Sequence, residues 1–128
     1  MEAATLDIQW VQAATAVVAL RGDLTLETAP PLGKKLLKLS KKHKLVLVIN
    51  LSELSSIDTA GIAILVEVLR TLNSRHGKLK LSGLSENFRR VLQLARLDRI
   101  FEVFDTVNAA LASEEQSVEA AGRTAESA

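Results

Sequence analysis

The sequence predicts a single α/β domain: a mixed, mostly parallel central sheet that opens with an antiparallel hairpin and has helices packed against it. Three observations predict it. The chain of 128 residues suits one domain large enough to bury its own core. Stretches with an apolar period of two alternate with stretches of helical period, in the order ββαβαβαβα. The run LVLVINL at 45–51 is branched and apolar throughout up to Asn50, the pattern of a central strand covered on both faces.

Each element has its own warrant. TLDIQWVQ (5–12) places Leu6, Ile8 and Trp10 on one side and Asp7, Gln9 and Val11 on the other, a strand with one wet face. TAVVALRG (15–22) is a second strand closed by Gly22, and only Ala13 and Ala14 separate the two, so they form a hairpin. Thr28-Ala29-Pro30-Pro31 starts a helix, since proline is tolerated in a first turn. That helix runs to about His43, with Leu32, Leu36 and Leu39 on one side and Lys34, Lys35, Lys38, Lys41 and Lys42 on the other. After the 45–51 strand, a helix from about Thr59 to His76 is stopped by Gly77. KLKLS (78–82) is a strand, Ser85 caps a helix with the stripe Phe88, Val91, Leu92 and Ala95, and IFEVF (100–104) is a short last strand. Asp105 or Thr106 caps a final helix to about Ala112. The domain is therefore expected over 1–112. Residues 113–128 read as a flexible acidic tail of net charge −3, whose removal from 114 onward is expected to leave stability almost unchanged.

Composition removes several function classes. With no cysteine there is no disulfide, zinc–thiolate site or thiol nucleophile. MEAATLDIQ lacks the basic-then-apolar pattern of a signal peptide, so a cytoplasmic location is expected. The only histidines, His43 and His76, sit at the ends of different helices, and neither G-x-x-x-x-G-K-[ST] nor H-E-x-x-H occurs. No enzyme activity, cofactor or metal is expected. One tryptophan, three phenylalanines and no tyrosine leave little for base stacking, so nucleic acid is not an expected partner. The lysine run KKLLKLSKKHK (34–44) has the charge to touch anionic lipid or an acidic partner, and is read as a solvated helix face with no membrane insertion.

The junction SSIDTAG (55–61) carries the function. It ends a buried strand and opens a helix, the place where ligands collect in open α/β sheets. Asp58 is a preferred N-cap, Thr59 puts a hydroxyl in the first turn, and Gly61 lets another chain approach the backbone. A cap alone would explain Asp-Thr. A regulated hydroxyl would also explain it, because a phosphate of about −1.5 to −2 charges is tolerated at a helix N-terminus. On a helical wheel Ile62, Leu65, Val66, Leu69 and Leu72 face inward, while Ala60, Ala63, Ile64 and Glu67 share the outer side nearest Thr59, with Ile64 alternatively at the core boundary.

Gly22-Asp23-Leu24, LVLVINLSELSSIDTAG and ARLDRIFEVFDT with ALAS occur in an order and spacing that resembles STAS domains over about residues 5–112, and most closely the bacterial anti-sigma factor antagonists. The resemblance implies a non-enzymatic docking switch. Its partner would be an anti-sigma factor that is also a serine/threonine kinase; phosphorylation of Thr59 would break the complex and a phosphatase would restore it. The implied docking residues are Asp58, Ala60, Gly61, Ala63, Ile64 and Glu67, with Asp23 at the neighbouring strand end. The chain departs from the family pattern in having Thr59 where serine is usual, Ala60 where a second hydroxyl is usual, and Thr25 where an acidic residue is common. The Asp-Thr-Gly-type junction and Trp10 also resemble the STAS subunits of phospholipid ABC transporters, which implies, as the alternative, docking on a transporter ATPase.

Overall fold

A computed structural model of the chain describes residues 4–114. Its strands and helices are β1 (Thr5–Gln12), β2 (Thr15–Leu24), α1 (Ala29–Ser40), β3 (Val46–Ile57), α2 (Thr59–Ser74), β4 (Lys78–Ser82), α3 (Glu86–Leu94) and β5 (Glu102–Phe104), followed by α4 over 107–114. The five strands form one sheet in the order β1-β2-β3-β4-β5. The β1–β2 hairpin is antiparallel, and the pairs β2–β3, β3–β4 and β4–β5 are parallel. This is the expected architecture, with β3 at the centre.

Registers assign the two faces of the sheet. Ala16 pairs with Leu47 and Leu47 with Leu79, while Val18 pairs with Ile49 and Ile49 with Leu81. These residues share a core with Leu32 and Leu36 of α1, Leu65, Val68 and Leu72 of α2, and Phe88 and Leu92 of α3. The opposite face carries Val46, Val48 and Lys80, all buried. Lys80 is only 3% exposed. Its ammonium donates to Glu102 Oε2 at 3.0 Å and to Ser113 Oγ at 2.9 Å, lies 3.6 Å from Glu114 Oε2 and sits 5.1 Å from the Phe104 ring centroid. A buried ammonium is tolerated only when paired, and these partners hold α4 across this face. Ser113 and Glu114 therefore belong to the folded domain rather than to a tail. The remaining tail, 115–128, lies outside the described residues.

Several boundaries differ from expectation, each for a local reason. β2 does not close at Gly22 but continues to Leu24. Gly22 adopts φ 87 where the β2–β3 register slips between Gly22 and Asp23, a glycine-containing bulge. β3 runs six residues past Leu51 because Glu53, Leu54, Ser56 and Ile57 keep pairing with that longer β2. α1 stops at Ser40, whose buried hydroxyl donates to the Leu37 carbonyl. At the end of α2 the left-handed residue is His76, with φ 62, and the Gly77 N–H closes the helix on the Leu72 carbonyl at 2.7 Å. Gly77 is required for a different reason, because a side chain there would meet the Leu45 carbonyl where the chain enters β4 beside β3. Ala95 is exposed rather than part of the α3 stripe, because α3 ends at Leu94.

Helix caps follow the sequence more closely. Ser85 Oγ accepts from the Phe88 N–H at 3.1 Å, and of the two candidates for α4, Thr106 is the cap, accepting from the Ala109 N–H at 3.0 Å. Thr28 does not cap α1 with its side chain. Its hydroxyl accepts from the Thr25 N–H at 2.9 Å and donates to the Asp23 carbonyl, which ties the β2–α1 turn shut. Ser85→Ala is expected to lower unfolding free energy by about 1 kcal/mol, the usual contribution of an N-cap serine, read as a lower urea midpoint at unchanged slope.

Candidate functional site

The site lies at the carboxyl ends of β2 and β3, where α2 begins. Asp58 is its organising residue. Asp58 is extended (φ −114, ψ −172) and its side chain caps α2: Oδ1 accepts from the Ala60 N–H at 2.9 Å and the Gly61 N–H at 3.2 Å. Its other oxygen, Oδ2, accepts from the Leu26 N–H at 2.9 Å. One carboxylate therefore locks two segments together, the first turn of α2 and the β2–α1 turn 32 residues earlier.

These hydrogen bonds favour the charged form. The Leu26 N–H, foremost, with the Gly61 and Ala60 N–H groups, holds the Asp58 carboxyl below its usual pKa. A carboxylate whose pKa is lowered by folding stabilises the fold above its unfolded pKa, and that contribution is lost as pH falls through the folded value. Asp58→Asn keeps one oxygen to cap α2 but removes the charge, and its Nδ2 cannot accept from the Leu26 N–H. The stability difference between wild type and this variant should be largest at neutral pH and narrow as acid protonates Asp58, as measured by urea unfolding across pH.

Thr59 is the first residue of α2 and is exposed. Among the described residues none hydrogen-bonds its hydroxyl. Asp23 lies on the adjacent strand end, where Ser56 Oγ donates to Asp23 Oδ1 at 2.6 Å across the β2–β3 pair. The extra β3 residue at this slip, Ser55, is what brings Asp23 opposite Ser56. Thus Asp23, Asp58 and Thr59 are gathered at one end of the sheet.

The remaining expected residues divide. Ala63 and Glu67 are exposed and Ala60 is half-buried, so they form an outward strip running from Thr59 along α2. Ile64 is only half exposed, and its Cδ1 lies where a side chain on Gly33 would be. It fills the α1–α2 seam, the core-boundary alternative for this position. Gly61 is buried, and the chain that approaches it is its own: a β-carbon there would sit 2.6 Å from the Leu24 carbonyl and 2.7 Å from Ile57 Cγ1. Gly61 sets the packing beneath the site and does not belong to an outer surface.

Two residues went unrecognised in the sequence. Leu26 is 73% exposed, and its backbone N–H donates to the Asp58 carboxylate. A lone leucine in the polar turn Thr25-Leu26-Glu27-Thr28 was the available signal. Ser56 had no such signal, since its partner is 33 residues away. Beside them, between the end of β3 and α3, a cavity of about 130 Å³ is lined by Leu54, Ser55, Ser56, Ile57, Asn87 and Val91, among others.

The family model described as STAS domain matches residues 8–110. An anti-sigma-B factor antagonist of Listeria monocytogenes is 30% identical over 86 residues, 67% of this chain and 75% of that protein. A Thermotoga neapolitana protein named as a candidate anti-sigma factor antagonist is 34% identical over 73 residues, which is 57% of this chain. The aligned stretch spans 64% of that relative's length and 54% of a similarly named one from Thermotoga maritima. In fold, the phosphorylated form of the Bacillus cell fate determinant SpoIIAA superposes with a TM-score of 0.69 at 22% identity, over 85% of this chain and 98% of that one. By its family match from the first strand to the last helix, the chain belongs to the STAS domain family.

Proposed function

We propose that this chain is an anti-sigma factor antagonist: a non-enzymatic docking module whose α2 N-terminal end binds an anti-sigma factor that is also a serine/threonine kinase, and which is released when Thr59 is phosphorylated. The observation that carries the reading is the division of labour at the junction. Asp58 commits both carboxylate oxygens to backbone N–H groups of α2 and the β2–α1 turn, while the adjacent Thr59 is left exposed at the head of the strip that runs through Ala63 and Glu67.

That arrangement suits a switch. None of the described residues bonds the Thr59 hydroxyl, so a phosphate on it breaks none of their bonds. The helix dipole tolerates the added charge. A docked partner would meet two new negative charges beside the Asp58 carboxylate, at the centre of the contact. The names of the Listeria and Thermotoga relatives, and the phosphorylated state in which SpoIIAA was solved, support the same reading. In this reading Thr59, Asp23, Ala60, Ala63 and Glu67 face the partner, Leu26 joins them, and Asp58 and Gly61 position the others.

Co-purification with intact-mass measurement tests it. The expected result is a complex with a kinase-type protein, and a phosphate-sized mass increment on the unbound chain that Thr59→Ala abolishes. Capture of an ATPase and permease instead, with no increment, would sink the kinase reading.

A further inference from the structure

The end of the molecule opposite Thr59 has a character of its own. Residues 8–22, 28–52 and 68–85 contain no aspartate or glutamate, and the second of these stretches alone carries six lysines. The fold brings the turns of all three together at the entry side of the parallel strands. Lys42 Nζ donates to the Ala13 carbonyl at 2.9 Å, the Val46 N–H donates to the Ala14 carbonyl at 2.8 Å, and the Lys44 N–H donates to the Arg75 carbonyl at 2.9 Å. His43 and His76 meet edge to face, with ring centroids 5.5 Å apart. Lys41, Lys42, His43, Lys44, Arg75 and His76 are all exposed. Among the described residues, the carboxylates on this side are Glu102 and Glu114, both paired with Lys80 and the second also with Lys78, and Asp98 on the α3–β5 connection.

Apolar surface is interleaved with this charge. Trp10 and Val11 are each 46% exposed, and Val11 falls where the hairpin register slips between Trp10 and Gln12. The Lys42 ammonium lies 4.5 Å from the Trp10 ring centroid. We propose that this pole docks on an anionic phospholipid surface, with Trp10 and Val11 entering the headgroup region and Lys41, Lys42, Lys44 and Arg75 facing lipid phosphates. Tryptophan beside lysines is the composition that rests at a bilayer interface. Nucleic acid fits less well, because the chain has one tryptophan and no tyrosine on which bases could stack, and Lys42 already lies over one face of that ring. Among the described residues no helix is long and apolar enough to cross a membrane, so the contact is peripheral. β3 runs 12 residues between the two ends, about 40 Å at ~3.3 Å per residue. A chain seated on this pole therefore holds the Thr59 end away from the lipid, and the two surfaces can be occupied together.

Trp10 is the chain's single tryptophan, so its emission reports on this pole alone. The full chain should co-sediment with vesicles of equal parts phosphatidylglycerol and phosphatidylcholine, with a blue shift of that emission, and not with phosphatidylcholine alone. Combining Lys41→Gln, Lys42→Gln and Lys44→Gln should lower partitioning roughly 100-fold, at about 1 kcal/mol per basic residue near an anionic surface. The same three positions changed to arginine should retain it. Unfolding midpoints check that both variants are folded. Failure to bind phosphatidylglycerol vesicles, equal binding to neutral vesicles, or wild-type partitioning by the glutamine variant overturns the proposal. Binding of duplex DNA at least as tight as that of the vesicles would reassign the pole to nucleic acid and overturn it equally.

Discussion

Thr59→Glu is expected to weaken binding of the proposed kinase partner by at least about 100-fold while the protein remains folded. The two halves of that expectation have separate physical causes. Glutamate at the first helical position faces the positive end of the α2 dipole, so the fold loses nothing there, and no described residue depends on the Thr59 hydroxyl. A charge introduced and left unpaired within a contact costs about 2–5 kcal/mol, and each ~1.4 kcal/mol is a factor of ten. Binding to the captured partner by calorimetry, beside thermal melting of the free chain, separates the two effects. Thr59→Ser should bind as wild type. If the glutamate variant binds with wild-type affinity, an electrostatic switch at this position is wrong. If it unfolds, the hydroxyl has a structural role that the geometry does not reveal.

Gly61→Ala is expected to destabilise the fold by about 2 kcal/mol, against the direction of helix propensity. Alanine is favoured by up to about 1 kcal/mol over glycine inside a helix. Here its β-carbon would lie 2.6 Å from the Leu24 carbonyl oxygen and 3.0 Å from Leu24 Cγ. Overpacking of this kind costs about 1–3 kcal/mol, and the upper part of that range applies because the obstacle is backbone. Relief requires α2 to move off β2, which pulls Asp58 away from the Leu26 N–H it accepts from at 2.9 Å. Faster amide exchange at Leu26 should accompany the lower urea midpoint. Gly33→Ala provides the contrast. The nearest atoms its β-carbon would meet belong to Ile64, whose Cδ1 at 2.9 Å is the far end of a flexible side chain, so a near-neutral effect is expected. Equal stability of Gly61→Ala and wild type would show that the α2–β2 contact is looser than its geometry.

Much of the fold was legible because it rests on local periodicity. The uninterrupted apolar run of β3 announced a strand buried on both faces. Ser85, Asp58 and Thr106 stand before their helices with side chains that accept from N–H groups two or three residues on, and such bonds need no tertiary partner to be foreseen. Where a boundary depends on distant chain, local pattern does not mark it. β3 continues past Leu51 only because β2 is beside it to pair with. His76 rather than Gly77 takes the left-handed conformation, and the Leu45 carbonyl leaves position 77 no room for a side chain.

By itself, the sequence determined the element order, the mixed sheet and the placement of an aspartate cap and an adjacent hydroxyl at the start of α2, since each follows from residue types a few positions apart. Only the tertiary structure decided what surrounds them. It turned Gly61 and Ile64 inward against Leu24 and Gly33, added Leu26 and Ser56 to the site, and gathered three acid-free turns into one basic pole. Those outcomes depend on contacts between residues some 30 positions apart, and side-chain patterns with periods of two or 3.6 residues carry no record of which distant segment will lie alongside.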